Sequence, residues 1–241
     1  MRYSIGTAGW SLPKAEQPQF PVQGTHLERY AGRLLAAEIN SSFYRPHRPA
    51  TYARWAESVP ASFRFSVKVS KTITHEQRLA ATGKQLDAFL AEATALGERL
   101  GCLLVQLPPS LRYDARTAGS FFSVLRRRYD GPVVFEPRHP SWFETAPERL
   151  LERQHVARVA ADPAVVPSAA EPGGDRSTVY FRWHGSPRIY YSNYDDVALK
   201  ALAVRLRAEA QHADNVWCIF DNTALGAATT NALRLRELLE P

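Results

Sequence analysis

Ionisable residues recur at the ends of short apolar runs throughout this 241-residue chain: the carboxylates Glu38, Glu136, Asp162 and Asp221, the cations Lys68, Arg138 and Arg182, and the imidazoles His75, His139 and His184. Charged side chains are almost never buried unless paired, so their return at equivalent places requires a common destination. The sum of the set is close to neutral. Arg and Lys match phosphate or carboxylate oxygens, Arg through a planar fork that meets two oxygens at once. On an anion held this way, Glu136 or Asp162 serves as general acid or base with His184 as partner, and both assignments stay open. The plain alternative is a satisfied salt-bridge plug with no chemistry.

Three cations in one place count against a divalent-metal centre, which wants carboxylate or imidazole ligands with few competing charges. No His-x-x-Glu-His or Cys-x-x-Cys spacing occurs. The expectation is therefore no resident cofactor, with a divalent metal on Glu136, Asp162, His184 and Asp221 as the alternative. Gln106 and Asn40 add neutral polar groups to the same run ends. Two segments look suited to phosphate: His184-Gly185-Ser186, and Asp221-Asn222-Thr223 leading toward Gly226 and Ala227. Small residues there let backbone N–H groups approach an anion. Equally, Gly185 merely permits a turn and Asn222 merely caps a helix. Trp10, Tyr44 and Trp142 follow run ends, either as a wall for a ligand or as cover for the core.

The elements that must position these groups alternate along the chain. Strand candidates are Tyr3 to Thr7, Ala36 to Asn40, Phe63 to Val69, Cys102 to Leu107, Val133 to Arg138, Val156 to Ala161, Thr178 to His184 and Val216 to Phe220. Period-two alternation puts Glu38 with Asn40 on one face, Arg64 with Ser66 and Lys68, Glu136 with Arg138, and Arg182 with His184. Helices are predicted from Pro49, from Asp114, over about 83–100, 195–212 and 224–239. Residues 162–177, rich in Pro, Gly, Ala and Ser, predict a loop in place of a helix. Eight strands alternating with helices predict an α/β fold, a single-domain (β/α)₈ TIM-type barrel over residues 1–241 with an irregular or shortened helix after strand six. The polar residues then gather at the C-terminal mouth.

Composition bounds the class. Hydrophobic content of 45% argues against disorder. The net charge of +6 suits a polyanion, but Arg126-Arg127-Arg128 and Arg234-Leu235-Arg236 read as solvated helix faces. Cys102 and Cys218 lie in apolar runs, as buried free thiols do. The chain opens Met1-Arg2-Tyr3 into a strand with no apolar leader and holds no membrane-spanning run, so a cytoplasmic protein without membrane partners is expected. The oligomeric state is open.

The segments Gly6-Thr7-Ala8-Gly9-Trp10, Glu38-Ile39-Asn40-Ser41-Ser42-Phe43-Tyr44-Arg45, Phe65-Ser66-Val67-Lys68, Thr74-His75, Gln106-Leu107-Pro108-Pro109, Glu136-Pro137-Arg138-His139, Arg182-Trp183-His184-Gly185 and Phe220-Asp221-Asn222 together resemble the YecE-like family, the domain of unknown function 72. The resemblance covers nearly the whole chain in order. It implies a TIM-type barrel in bacterial and archaeal cytoplasmic proteins, and it carries no established activity. Ala8 stands where Ser is common in the family, and the aromatic usual after Trp10-Ser11 is missing. Three functional readings follow: an enzyme, hydrolase or lyase, acting on a phosphorylated or other anionic small molecule; a nucleic-acid binder or metal-assisted nuclease; and a non-catalytic scaffold.

Overall fold

The chain is described by a computed structural model over residues 3–240; Met1, Arg2 and Pro241, which the single-domain reading includes, lie outside the described residues. The predicted alternation of strand and helix is realised. Strands β1 (Tyr3–Ala8), β2 (Ala36–Ile39), β3 (Arg64–Lys68), β4 (Leu100–Gln106), β5 (Val133–Glu136) and β6 (Val156–Arg158) pair in parallel, each with the next. β7 (Ala160–Asp162) continues β6 after one residue, Val159, and pairs with β9 (Thr178–Trp183), which pairs with β10 (Asn215–Phe220) and so back to β1.

The sixth predicted strand is thus one stave in two pieces: its first half bonds to β5 and its second to β9. The break at Val159 is the closure of the ring. Val159 N donates to Phe135 O and so carries the ladder to β5 one residue beyond β6. Counted this way the barrel has the eight staves expected, and the remaining two-residue strand β8 (Gly173–Gly174) lies antiparallel along β6. Among the described residues no helix is long and apolar enough to cross a membrane.

Helices α1 (His26–Ala31), α2 (Pro49–Glu57), α3 (Gly83–Ala93), α4 (Ala115–Arg126), α5 (Thr145–Arg153), α6 (Asp196–Glu209) and α7 (Ala227–Leu239) follow their strands in turn. Pro49 opens α2 at a position whose N–H is unpaired in any helix, and Asp114 caps α4 by accepting from Thr117 N. α1 and α5 are short and escaped prediction. Between β7 and β9 the expected helix is replaced by irregular chain with one 3₁₀ turn, Pro167–Ala170.

Two apolar regions result from the alternation. Outward residues such as Phe65, Val67, Leu103, Val105 and Phe135 pack under the helices. Inward residues form a separate core inside the barrel, with Ala36, Cys102, Leu104, Val134, Tyr180 and Trp217 among them. Both cysteines are buried and free. The inward positions one step further toward the strand ends are Glu38, Ser66, Glu136 and Arg182, where the apolar filling gives way to charge. This is the end at which barrels of this kind carry their sites.

Candidate functional site

Arg182 on β9 is the hub of the mouth, with no exposed surface at all. Its guanidinium donates in parallel to Glu38 of β2, Nε to Oε2 at 2.9 Å and Nη2 to Oε1 at 2.8 Å. It also reaches Glu136 of β5 (Nη1 to Oε2, 3.2 Å) and Asp221 just beyond β10 (Nη2 to Oδ2, 2.9 Å). One Arg therefore answers three carboxylates from three staves. Such a fork is what makes Arg suited to buried pairs. Tyr180, two residues earlier on the same face, donates to Glu38 Oε2 at 3.1 Å and lies 3.1 Å from Ser66 Oγ.

His184 completes the network. Its Nδ1 is 3.0 Å from Asp221 Oδ2 and its Nε2 is 2.8 Å from Glu136 Oε1. With an acceptor on each nitrogen, the ring is an imidazolium donating both ways. The Arg138 and Arg182 nitrogens at 3.1–3.3 Å are packing neighbours at longer range. Burial alone would lower the His184 pKa, but Glu136 and Asp221 outweigh it and raise the value. Burial alone would raise the Glu136 carboxyl, yet His184, Arg182 and Arg138 hold it well below the usual range. Asp221 is lowered in the same way, chiefly by Arg182 against its burial. Arg138, partly exposed at the rim, donates to Glu136 Oε1 at 2.8 Å.

Lys68 differs from every other charge in the cluster. It ends β3, two residues after Ser66 and so on the inward face, and is only 6% exposed. Among the described residues its ammonium makes no hydrogen bond and no ion pair within 4 Å; its Nζ sits 4.3 Å above the Phe43 ring. Burial first and then Arg182 push its pKa down, to about 8, against the pull of Glu38, Asp221 and Glu136. His75, on a π-type turn over Thr72–Glu76 that follows β3, packs edge-on to the same Phe43 ring at 4.9 Å. Burial and then Lys68 lower the His75 pKa.

The family described as "Protein of unknown function DUF72" matches residues 4–241 of this chain. The chain belongs to the DUF72 family. UPF0759 protein YecE of Escherichia coli is 30% identical over 171 residues, a match covering 68% of this chain and 61% of that protein, so the chain spans about three fifths of that relative's length. UPF0759 protein YunF of Bacillus subtilis is 22% identical over 266 residues, with 98% of this chain and 94% of that protein covered. DUF72 family crystal structures from Enterococcus faecalis (23% identical, TM-score 0.83, 98% and 95% coverage) and Thermotoga maritima (21%, TM-score 0.83, 100% of each chain) share the fold.

Not every sequence-predicted residue of this DUF72 chain joins the cluster. Asp162, at the end of β7, points its carboxylate to Tyr194, whose Oη donates to Oδ2 at 2.6 Å. Among the described residues that carboxylate makes no hydrogen bond to Glu136, His184 or Asp221, and Asp162 meets His184 only through the backbone, His184 N donating to Asp162 O at 2.7 Å, so the carboxylate stands apart from the expected acid–base group and the alternative metal set. Among the described residues no group of three or more His, Cys, Asp or Glu side chains is placed to hold a metal ion. Gly185 takes a positive φ of 96°, and its N–H donates to Tyr194 Oη at 2.8 Å instead of standing free for a phosphate. Asn222 does not cap α7 with its side chain: Nδ2 donates to Ser192 O and Asn231 Oδ1. On both counts the turn and packing roles prevail.

The aromatic residues separate similarly. Trp142 is buried, donates Nε1 to Leu111 O and packs on Phe135. Trp10 packs edge-on to Trp55 and Phe65. His139 binds Ser141 within its own turn. These three are cover. Tyr44, in contrast, is 68% exposed beside Phe43. Gln106 pairs in register with Glu136, and Asn40 Oδ1 is buried with no hydrogen-bond partner among the described residues. Sequence reasoning missed Tyr190, exposed at the surface with its ring 6.0 Å from that of His184 on a positive-φ backbone, because nothing in a loop sequence marks which residue lies over the mouth. Tyr180 was legible in principle: it shares the period-two face of Arg182 and His184.

Proposed function

We propose that the barrel mouth binds a small anionic ligand, phosphate- or carboxylate-bearing, with Lys68 as its principal cation and Arg138 and His75 at the rim. One observation carries the reading: Lys68 is buried in the mouth and, among the described residues, has no carboxylate of its own within ion-pair distance. The carboxylates Glu38, Glu136 and Asp221 are already taken by Arg182, Arg138 and the His184 imidazolium. Lys68 is then one positive charge in excess. A buried, unshared cation is costly unless something answers it, and an anion entering the mouth does so. In this reading the Arg182 network is the floor that keeps the mouth rigid, and Glu136 stays an ionised carboxylate against any bound substrate. Whatever reaction follows, Glu136 and His184 stand as its acid–base candidates, with the Asp162 carboxylate held by Tyr194.

Thermal unfolding in increasing orthophosphate tests the proposal. Wild-type protein gains stability with concentration, as any ligand-bound native state does, and Lys68→Met loses the gain while Lys68→Arg keeps part of it. Equal protection of wild type and Lys68→Met would overturn it.

A second reading, binding of single-stranded nucleic acid, is supported by the exposed Tyr44, Tyr190 and Tyr191 and by Arg188, whose guanidinium lies 3.9 Å over the Tyr191 ring. It requires oligonucleotide affinity that falls steeply with salt.

A further inference from the structure

We propose that Lys68 is a nucleophile: its ε-amine condenses with the carbonyl carbon of a small anionic oxo compound held at the mouth, forming an imine. This rests on the anion-binding reading and goes beyond it, since binding needs only a charge whereas condensation needs a primary amine.

Several observations converge on Lys68 and on no other lysine. The chain has 30 basic residues, of which Lys14, Lys68, Lys71, Lys84 and Lys200 are the lysines. Four of these are exposed on the surface; Lys68 alone is buried at a strand end. The other cations of the mouth are Arg138, Arg182 and the His184 imidazolium, all engaged by carboxylates. An Arg fork suits a fixed oxyanion better than an ammonium does, but guanidinium cannot condense with a carbonyl. A lysine becomes nucleophilic when it is desolvated and set near another cation, without a carboxylate clamping its proton. Lys68 meets those conditions: the Phe43 face at 4.3 Å on one side, Arg182 in the cluster beyond, and no ion pair.

The same burial and the Arg182 charge lower its pKa to about 8. Near neutral pH the free amine is therefore far more abundant at Lys68 than at an exposed lysine, where it is about one in a thousand. The groups whose charges act on it are Arg182, Glu38, Asp221 and Glu136, and it acts in turn on His75.

The step balances without an oxidant. The amine lone pair attacks the carbonyl carbon and a C–N bond forms. Proton transfer from nitrogen to oxygen gives the neutral carbinolamine; the C–O bond then breaks and the oxygen leaves as water, carrying both hydrogens lost from the amine. We assign the carriage of these protons to His75, which packs on the same Phe43 ring, is close enough for Lys68 to lower its pKa, and has its Nδ1 engaged by Thr74 Oγ1 at 2.9 Å. The anionic group of the substrate pairs with Arg138 at the rim.

Glyoxylate with sodium cyanoborohydride tests this on the full-length protein, the hydride converting the imine to a carboxymethyl amine read by intact mass and peptide mapping. We expect labelling at Lys68 about tenfold or more faster than at Lys14, Lys71, Lys84 or Lys200, suppression by orthophosphate, and loss of that label in Lys68→Arg. Labelling spread evenly over the lysines, or absent from Lys68, overturns the imine. If orthophosphate still protects wild type and Lys68→Arg against heat in that case, the anion-binding reading stands without it; if it protects neither, both fall.

Discussion

Arg182 and Glu38, 144 residues apart, meet through two parallel hydrogen bonds of 2.9 and 2.8 Å, with neither side chain reaching solvent. The pair joins β9 to β2 across the barrel interior, and the same guanidinium also holds Glu136 and Asp221. Removing one partner of a buried ion pair leaves the other uncompensated, at a cost of about 3–5 kcal/mol. Arg182→Met leaves Glu38 with only the Tyr180 hydroxyl and Ser66 nearby and takes one cation from each of Glu136 and Asp221, whereas Glu38→Gln leaves Arg182 with two carboxylates. Urea unfolding should therefore show the larger loss in Arg182→Met. A smaller loss there would mean that Arg182 is not the hub.

Stability should depend on pH in two opposing directions. The folded-state values of Glu136 and Asp221 lie below their ordinary ones, so their contribution is present above about pH 4.3 and is lost as pH falls through the lowered values. His184 is raised, so its contribution is fully present below about pH 6.5 and is lost as pH rises through the folded value. The unfolding free energy should thus decline on going from about pH 6 to about pH 8, and His184→Gln should flatten that decline. A wild-type profile that rises across this window would contradict the imidazolium.

Lys68 is expected to cost the unliganded fold. Its folded pKa, about 8, lies below the unfolded value, so the protein carries a penalty below that pH that fades as pH rises. Lys68→Met should stabilise the ligand-free protein at pH 6 by about 1–3 kcal/mol, as substitution at functional positions often does. Chemical denaturation at pH 6 and at pH 10 measures it, the difference between variants shrinking at the higher pH.

The turn after β9 should be intolerant of change. A Cβ at Gly185 would lie 3.0 Å from Ser192 O and 3.1 Å from Asn222 Cβ on a backbone at φ 96°. Gly185→Ala should cost about 1–3 kcal/mol. Tyr194→Phe should cost about 1–3 kcal/mol by a separate route, since it leaves Asp162 Oδ2 and Gly185 N without their shared partner. Thermal unfolding of both variants would show this, and an unaltered midpoint in Tyr194→Phe would mean that water replaces the hydroxyl.

Much of the barrel and part of its mouth were legible before any coordinate. Alternation along 36–40, 64–68 and 180–184 fixes which side chains point inward, because successive residues of a strand face opposite ways, and it correctly put Glu38, Lys68, Arg182 and His184 on inward faces. The missing helix after the sixth strand followed from Pro and Gly content. α1 was missed because six residues show less than two turns of periodicity. Asp162 was grouped with the cluster because it ends a strand, but the break at Val159 restarts the stave on β9, where Tyr194 takes the carboxylate.

The sequence by itself determined the inventory and its level in the barrel: which carboxylates and cations rise to the strand ends, and the family whose motifs they compose. Only the tertiary structure decided the pairing. Arg182 finds Glu38 rather than a nearer neighbour in sequence because the closed, tilted sheet brings opposite staves within a hydrogen bond, a distance that no local spacing encodes. The same closure supplies the Glu38, Glu136 and Asp221 carboxylates with other partners and leaves Lys68 with an aromatic face alone, which is why its chemistry emerges from the folded mouth and not from its place in the chain.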